Sequence, residues 1–190
     1  HGSTQGLDQI PLMAPVTKWR ALVNDVRRMP HLAQMAFREA TSGRPAPVYL
    51  DLPSNVLCDK LDTEACPVLP PHRYRATAHA VADEHQIHKA AEILTKAEFP
   101  LIHPGGGVLR SGAWEEVKEL AEYLSAPVTT SLAGRGAIPE NHPLCLLPAG
   151  LGAITAQSMA DVVLLVGGRL GDLEFWGRPP YWGEVGKQHF

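Results

Sequence analysis

Three short apolar segments, each followed by a glycine a few residues later at most, constrain the fold of this 190-residue chain more than any other feature. They lie near residues 100–103, 127–130 and 161–167. In predicted helices near them, apolar residues recur every three or four positions, as on one face of an amphipathic helix. Continuous apolar strands that alternate with such helices are typical of a parallel sheet covered on both faces. The pattern predicts a Rossmann-like α/β domain of three layers, with right-handed crossovers between parallel strands.

The helices of this region carry their own start signals. Asp83 and Gln86 have the spacing of a capping box, which predicts that a helix begins there. Ser111 is predicted to cap the next helix, whose apolar face includes Trp114. A further short helix is predicted near residues 155–159.

The first part of the chain predicts a smaller α/β element. A helix is expected to begin near Pro30 and to end at Ser42-Gly43, followed by a strand over residues 48–52. Prolines and mixed polar residues then predict an extended linker over residues 58–82. The predicted organisation is a first segment over residues 1–57, the linker, and a second domain over residues 83–190.

Composition excludes several classes of function. The chain has 17 Lys and Arg against 20 Asp and Glu, a net charge of −3, so we predict neither a nucleic-acid nor an anionic-membrane surface. No apolar run approaches the roughly 20 residues of a membrane span. Cys58, Cys66 and Cys145 form no CxxC pair, which predicts a reducing, cytoplasmic compartment without a disulfide framework or structural zinc. We also predict no metal site at His85 and His88, which mark a solvated helix start.

The beginning of the sequence carries weaker information. It has no initiator Met and no basic segment followed by an apolar one, so we predict no signal peptide and a natural polypeptide that extends upstream. Whether the first residues are a cloning remnant is left open.

The glycines after the predicted strands are the first candidate site. They lie at residues 105–107, at 134 and 136, and at 167–168, where ligands bind in open parallel sheets. Neither G-x-G-x-x-G nor G-x-x-x-x-G-K-[ST] is present, so two interpretations stay open: tight turns, or backbone N–H groups that hold a phosphate. The aromatic residues of the last segment favour packing against a neighbouring surface over stacking on a ligand. These are Phe175, Trp176, Tyr181, Trp182 and Phe190.

Several motifs resemble the thiamine-diphosphate-dependent enzymes, in the branch of acetolactate synthase, benzaldehyde lyase and 2-hydroxyacyl-CoA lyase. Three segments resemble the end of the pyrimidine-binding domain: residues 4–9, 14–19 and 42–53 (SGRPAPVYLDLP). Four resemble the central domain: residues 104–107 (PGGG), 127–130 (PVTT), 134–143 (GRGAIPENHP) and 160–170 (ADVVLLVGGRL). The resemblance covers nearly the whole chain in order.

This resemblance implies roles for individual residues. Gln5 matches a catalytic glutamine that faces the reaction centre across a subunit interface. The residues that match positions touching a structural FAD in the synthases are Arg44, Gly105, Gly106, Gly107, Arg169 and Asp172. The chain departs from the synthases at residues 169–173, where RLGDL replaces RFDDR, and at Ser54, where they carry Lys. At most weak FAD or ADP binding is therefore expected in the central domain.

The resemblance also implies a function. We expect a fragment of a carboligase, lyase or decarboxylase that acts on a small 2-keto acid, aldehyde or acyl-CoA substrate with thiamine diphosphate and Mg²⁺, in a parent homodimer or homotetramer. The proton-relay Glu and the Mg²⁺ motif of the family match nothing in this sequence, so the chain alone is expected to be inactive, and its central domain to gain a strand beyond Phe190. The alternative is a stand-alone FAD- or ADP-binding module without catalytic activity.

Overall fold

The computed structural model describes residues 6–62, 64, 66–76 and 81–190. Within it the chain forms two compact units, His1–Val81 and Ala82–Phe190. No helix of the described residues is long and apolar enough to cross a membrane. The domain identities assigned to residues 1–57 and 83–190 stay predictions.

The first unit is built on a two-stranded parallel sheet. Strand β1 (Trp19–Leu22) pairs with β2 (Val48–Asp51) in a register that places Trp19 opposite Val48. Helices α1 (Gln9–Met13), α2 (Met29–Thr41) and α3 (Ser54–Cys58) accompany the sheet. The buried residues of its core are Val23, Leu32 and Val56. The predicted helix and strand are present, and β1 adds a parallel partner strand that was not predicted.

The second unit holds a four-stranded parallel sheet in the order β5-β4-β3-β6. Its strands are β3 (Pro100–Pro104), β4 (Val128–Thr129), β5 (Cys145–Leu146) and β6 (Val162–Val166). All three strand pairs are parallel, which confirms the Rossmann-like α/β prediction. The two-residue β5 was not predicted, because it is too short to show a hydrophobic period.

Four helices accompany these strands: one precedes β3, two lie between β3 and β4, and one lies between β5 and β6. They are α4 (Glu84–Lys96), α5 (Gly106–Ser111), α6 (Trp114–Leu124) and α7 (Leu151–Met159). Asp83 accepts a hydrogen bond from the Gln86 N–H at 3.1 Å, as predicted, and so caps α4. The prediction for Ser111 is wrong: it ends α5, where its hydroxyl donates to the Val108 carbonyl. The chain reverses at Gly112 (φ 75°) before α6 begins, a conformation that glycine adopts without strain.

The last segment packs on the second unit through Trp182. Its indole is 2% exposed and lies in a cluster with Leu101, Ala156 and Val163. The aromatic-packing prediction is confirmed for this side chain, whereas Trp176 is 63% exposed.

Candidate functional site

A cavity of about 330 Å³ opens in the second unit at the carboxyl ends of β3 and β4. This is the edge at which open parallel sheets bind their ligands. Its polar lining consists of His103, Thr130, Ser131, Gln157 and Glu174. Its apolar walls include Leu132, Ile154, Phe175, Tyr181 and Trp182.

His103 is the most deeply buried polar group of the cavity, at 1% exposure. Its Nδ1 lies 2.9 Å from the Thr129 hydroxyl oxygen, which in turn accepts from the Gln157 side-chain amide at 3.4 Å. The Thr129 hydroxyl has one hydrogen and two lone pairs, so it can either donate to Nδ1 or accept from it, and either ring nitrogen can carry the hydrogen of the neutral imidazole. Burial lowers the pKa of His103 to about 4, so the ring is neutral at pH 7.

Two buried polar atoms of this lining have no hydrogen-bond partner among the described residues. They are Nε2 of His103 and the hydroxyl oxygen of Thr130. A buried polar group without a partner costs about 1–3 kcal/mol of stability. Both residues border the cavity, so a bound molecule could supply the partners that the protein does not.

The charges around the cavity are sparse. Of the residues that the structure places along its walls, none is lysine or arginine, and Glu174 is the single carboxylate. One carboxylate oxygen of Glu174 accepts a hydrogen bond from the Gly171 N–H at 2.9 Å. The cavity therefore offers an anion no positive partner.

The glycines predicted to bind a cofactor have a packing role of their own. A Cβ on Gly105 would lie 2.5 Å from the Gly167 carbonyl oxygen, and one on Gly107 would lie 2.7 Å from the Gly167 Cα. Both contacts are with backbone, which cannot move aside as a flexible side chain can. Close packing between the loops after β3 and β6 therefore requires these two glycines. Gly106 is less confined, since its Cβ would lie 3.0 Å from the Ala133 carbonyl oxygen.

The other predicted site residues lie apart from the cavity lining. Arg169 and Asp172 are exposed on the segment that follows β6. Arg44 is exposed after α2 in the first unit, where its carbonyl accepts from the Lys18 ammonium at 3.3 Å. Gln5 lies outside the described residues. The roles of all these residues at a cofactor stay predictions.

The described residues of this cavity give a flavin dinucleotide no charged partner. The volume of about 330 Å³ is at the small end of the about 300–1,000 Å³ common for small-molecule sites. FAD and ADP both carry a diphosphate, and the described lining residues include no cation to pair with it. The described residues also hold no group of three or more His, Cys, Asp or Glu side chains suited to a metal ion.

Sequence reasoning missed His103 and Thr130. One signal was present: His103 is a polar residue inside an otherwise apolar strand, directly before the glycines. For Thr130 the sequence offered nothing, because threonine is common in strands and its hydroxyl is usually satisfied locally.

Comparison with known proteins gives a consistent result. The family model described as "Thiamine pyrophosphate enzyme, central domain" matches residues 87–187. The probable acetolactate synthase large subunit of Methanocaldococcus jannaschii is 37% identical over 177 residues, which cover 88% of this chain and 29% of that protein. Acetolactate synthase isozyme 1 large subunit of Escherichia coli is 33% identical over 172 residues, covering 88% of this chain and 30% of that protein.

A solved structure is similar over the same span. It comes from Mycobacterium smegmatis, is described as a thiamin diphosphate-dependent enzyme, and has a TM-score of 0.68 with 31% identity over 86% of this chain. The match covers 31% of that chain. The chain thus spans about a third of the length of the relatives it matches.

Proposed function

The chain belongs to the thiamine pyrophosphate enzyme family, whose central domain it contains, and from this premise we propose that it is part of an acetolactate synthase-like enzyme. Such an enzyme would join, cleave or decarboxylate 2-keto or 2-hydroxyacyl substrates. The observation that carries the proposal is a similarity to acetolactate synthase large subunits over 88% of the chain, at 33–37% identity. A stand-alone nucleotide-binding module is not favoured, because these relatives are named as synthase subunits.

Thiamine diphosphate is the cofactor that the family implies, and it supplies the carbon nucleophile of the reaction. The described residues do not fit it, because they provide neither a set of metal ligands nor a cation-lined site for its diphosphate. We propose that the rest of the parent enzyme binds the cofactor, together with Mg²⁺. This chain would contribute a rigid parallel-sheet domain and, through the Gln5 amide, a hydrogen bond to a substrate oxygen.

We also propose the finer properties that the family resemblance implies. The proposed substrates are small 2-keto acids, with an aldehyde or an acyl-CoA as other candidates. The proposed assembly is a homodimer or homotetramer in the cytoplasm. A second cofactor, FAD or ADP, is expected to bind at most weakly. The residues that match the synthases' FAD positions are Arg44, Gly105, Gly106, Gly107, Arg169 and Asp172.

The test is an assay of two proteins, the complete gene product that contains this sequence and the 190-residue chain alone. With pyruvate, thiamine diphosphate and Mg²⁺, the complete product should form acetolactate. The isolated chain should match the buffer blank, since losing a shared pocket removes proximity terms of about 7–11 kcal/mol. Turnover by the isolated chain would refute the fragment prediction, and a complete product inactive on every 2-keto acid would refute the proposed function.

Gln5 is tested in the complete product. Gln5→Ala should lower kcat at least tenfold without loss of folded protein, because it removes a hydrogen bond to the reacting substrate. The control is Gln34→Ala, which changes the same residue type on helix α2 of the first unit. Equal activity of the two variants would remove Gln5 from the proposed mechanism.

A further inference from the structure

We propose that His142 acts as a pH-dependent clamp: its neutral imidazole holds the edge strand β5 in place, and proton uptake by the ring releases the strand. The clamp consists of two hydrogen bonds, one to each ring nitrogen, which join the segment before β5 to helix α6. The inference concerns the second unit alone and goes beyond the proposed function, because it needs neither cofactor nor substrate.

The two ring nitrogens of His142 have partners that fix the position of the imidazole hydrogen. Nδ1 lies 3.2 Å from the backbone nitrogen of Leu144, and Nε2 lies 3.1 Å from a carboxylate oxygen of Glu122. A backbone N–H can only donate, so Nδ1 must be the acceptor, and the neutral ring then carries its hydrogen on Nε2. That hydrogen is donated to the Glu122 carboxylate, which can only accept. Both partners therefore select the same tautomer.

His142 also anchors the backbone from which β5 begins. Its carbonyl accepts from the Cys145 N–H at 2.9 Å, and the Leu144 carbonyl accepts from the Val128 N–H of β4 at 2.8 Å. Strand β5 has two residues and lies at the end of the sheet, so it pairs with β4 on one side only. Because a strand this short has few ladder bonds of its own, the bond from the Leu144 N–H to His142 contributes a large share of its attachment.

Proton uptake by the ring removes one half of the clamp. The second ring hydrogen would have to sit on Nδ1, where it would face the Leu144 N–H instead of accepting from it. The bond to Glu122 survives as an ion pair, but the Glu122 side chain is 51% exposed, and exposed ion pairs add little stability. The protonated ring and the Leu144 bond therefore exclude each other, and the segment before β5 is released.

The charged groups near the ring come from three elements. From α6, Glu122 contacts Nε2, whereas Lys118, one turn earlier, lines a separate cavity. In the loop before β5, the charges of Arg135 and Glu140 are bonded to each other at 2.5 Å. On β5, burial and the Glu140 charge raise the pKa of the Cys145 thiol, so the thiol stays uncharged over the range in which histidine titrates.

Release of β5 has a consequence for the cavity of the second unit. Pro148 and Ala149 line this cavity and lie between β5 and α7. When β5 separates from β4, this part of the wall loses its attachment to the sheet, and the outer edge of β4 exposes unpaired backbone groups. The clamp thus makes the order of one cavity wall depend on pH.

The experiment measures the hydrogen-exchange protection factor of the Leu144 amide in the 190-residue chain from about pH 8 to pH 5, where histidine changes charge. Protection factors are corrected for the intrinsic pH dependence of exchange. In the wild type the factor should fall at least about fivefold, as expected for the loss of one ordinary hydrogen bond. In His142→Phe, which takes up no proton, the factor should be low at both pH values. The control His88→Phe removes the exposed His88–Glu84 pair of α4 and should behave as the wild type.

Two further variants separate the clamp from other sources of pH dependence. Glu122→Gln keeps an acceptor oxygen but removes the charge that favours a protonated ring, so the fall in Leu144 protection should move to lower pH. His103→Gln removes the other buried histidine and should keep the fall. A fall that stays at the same pH in Glu122→Gln, or disappears in His103→Gln, would overturn the proposal.

A measurement on the unchanged protein guards against a His142→Phe variant that fails to fold. Nitrogen-15 NMR should show the His142 hydrogen on Nε2 at pH 8 and hydrogens on both ring nitrogens at pH 5. A hydrogen on Nδ1 at pH 8 would overturn the proposal, because Leu144 would then have no acceptor in the ring. So would a Leu144 protection factor in the wild type that stays constant between the two pH values.

Discussion

Gly134 lies so close to Pro104 that a Cβ atom on Gly134 would overlap the Pro104 carbonyl oxygen. The contact joins the end of β3 to the turn that follows β4, directly beside the cavity. This close contact between backbone atoms explains why residue 134 is a glycine. The same explanation holds for Gly105 and Gly107 against the Gly167 backbone.

Gly134→Ala should destabilise the second unit by about 2 kcal/mol or more, because the added methyl overlaps backbone that cannot move aside. Gly152→Ala is the matched control, since a Cβ there meets only Leu146 Cδ2 at 3.7 Å and lies within α7. It should be neutral or gain up to about 1 kcal/mol from helix propensity. Hydrogen exchange of the β3 amides measures the stability of the second unit in both variants. Equal protection of these amides in the two variants would contradict the packing argument.

His103 should make the stability of the second unit depend on pH. Its pKa is about 4 in the folded state against an ordinary value of 6.5, because burial disfavours the charged ring. Between these values the unfolded chain binds more protons, so the free energy of unfolding should fall by about 3 kcal/mol as the pH drops from 6.5 to 4.

The variant His103→Gln should flatten this pH profile, measured by urea unfolding at several pH values. The control His85→Gln changes an exposed residue of α4 and should keep the wild-type slope. If the free energy of unfolding of His103→Gln changed with pH as steeply as that of the wild type, other groups would be the cause of the pH dependence.

Asp161 should hold the starts of β3 and β6 together. Its carboxylate accepts from the backbone N–H groups of Glu98 at 2.7 Å and of Phe99 and Val162 at 2.9 Å. Burial raises the pKa of this carboxyl, but the hydrogen bonds outweigh burial and hold the pKa below its usual value. The resulting stability is present above about pH 4 and is lost as the pH falls through the lowered pKa.

Asp161→Asn should cost about 1.5–3 kcal/mol at pH 7, since the amide has one acceptor oxygen and no charge. Glu119→Gln, on the exposed side of α6, is the control and should stay within about 0.5 kcal/mol of wild type. Urea unfolding of the wild type and of both variants measures these differences in the free energy of unfolding.

Gln188 should hold the segment that carries Trp182 in place. Its side-chain amide donates to the carbonyls of Gln157 and Ala160 at 2.7 and 2.8 Å. Its Oε1 accepts from the Gly183 N–H at 3.0 Å, and the residue is 8% exposed. Gln188→Ala should increase hydrogen exchange at Trp182 and Gly183 at least tenfold, because three hydrogen bonds are lost together. Gln86→Ala, exposed on α4, should leave that exchange unchanged.

Local sequence signals predicted most of the strands and helices of the second unit. The strand after Phe99 and the capped start of α4 follow from apolar spacing and from Asp83, and both depend on near neighbours in the chain. Ser111 is a residue for which local signals gave the wrong prediction. A serine can cap a helix start or bond back to the preceding turn, and the additional helix α5 decided which bond formed.

The sequence by itself determined the family and the alternation of parallel strands with helices, because both are recorded in residue order and spacing. The tertiary structure decided which strands pair, as with β1 on β2, and which polar groups share a cavity. His103 and Thr130 are 27 positions apart and meet because adjacent parallel strands end at the same edge of the sheet. Whether a buried hydroxyl finds a partner depends on every element packed around it, and no local pattern of residues encodes that.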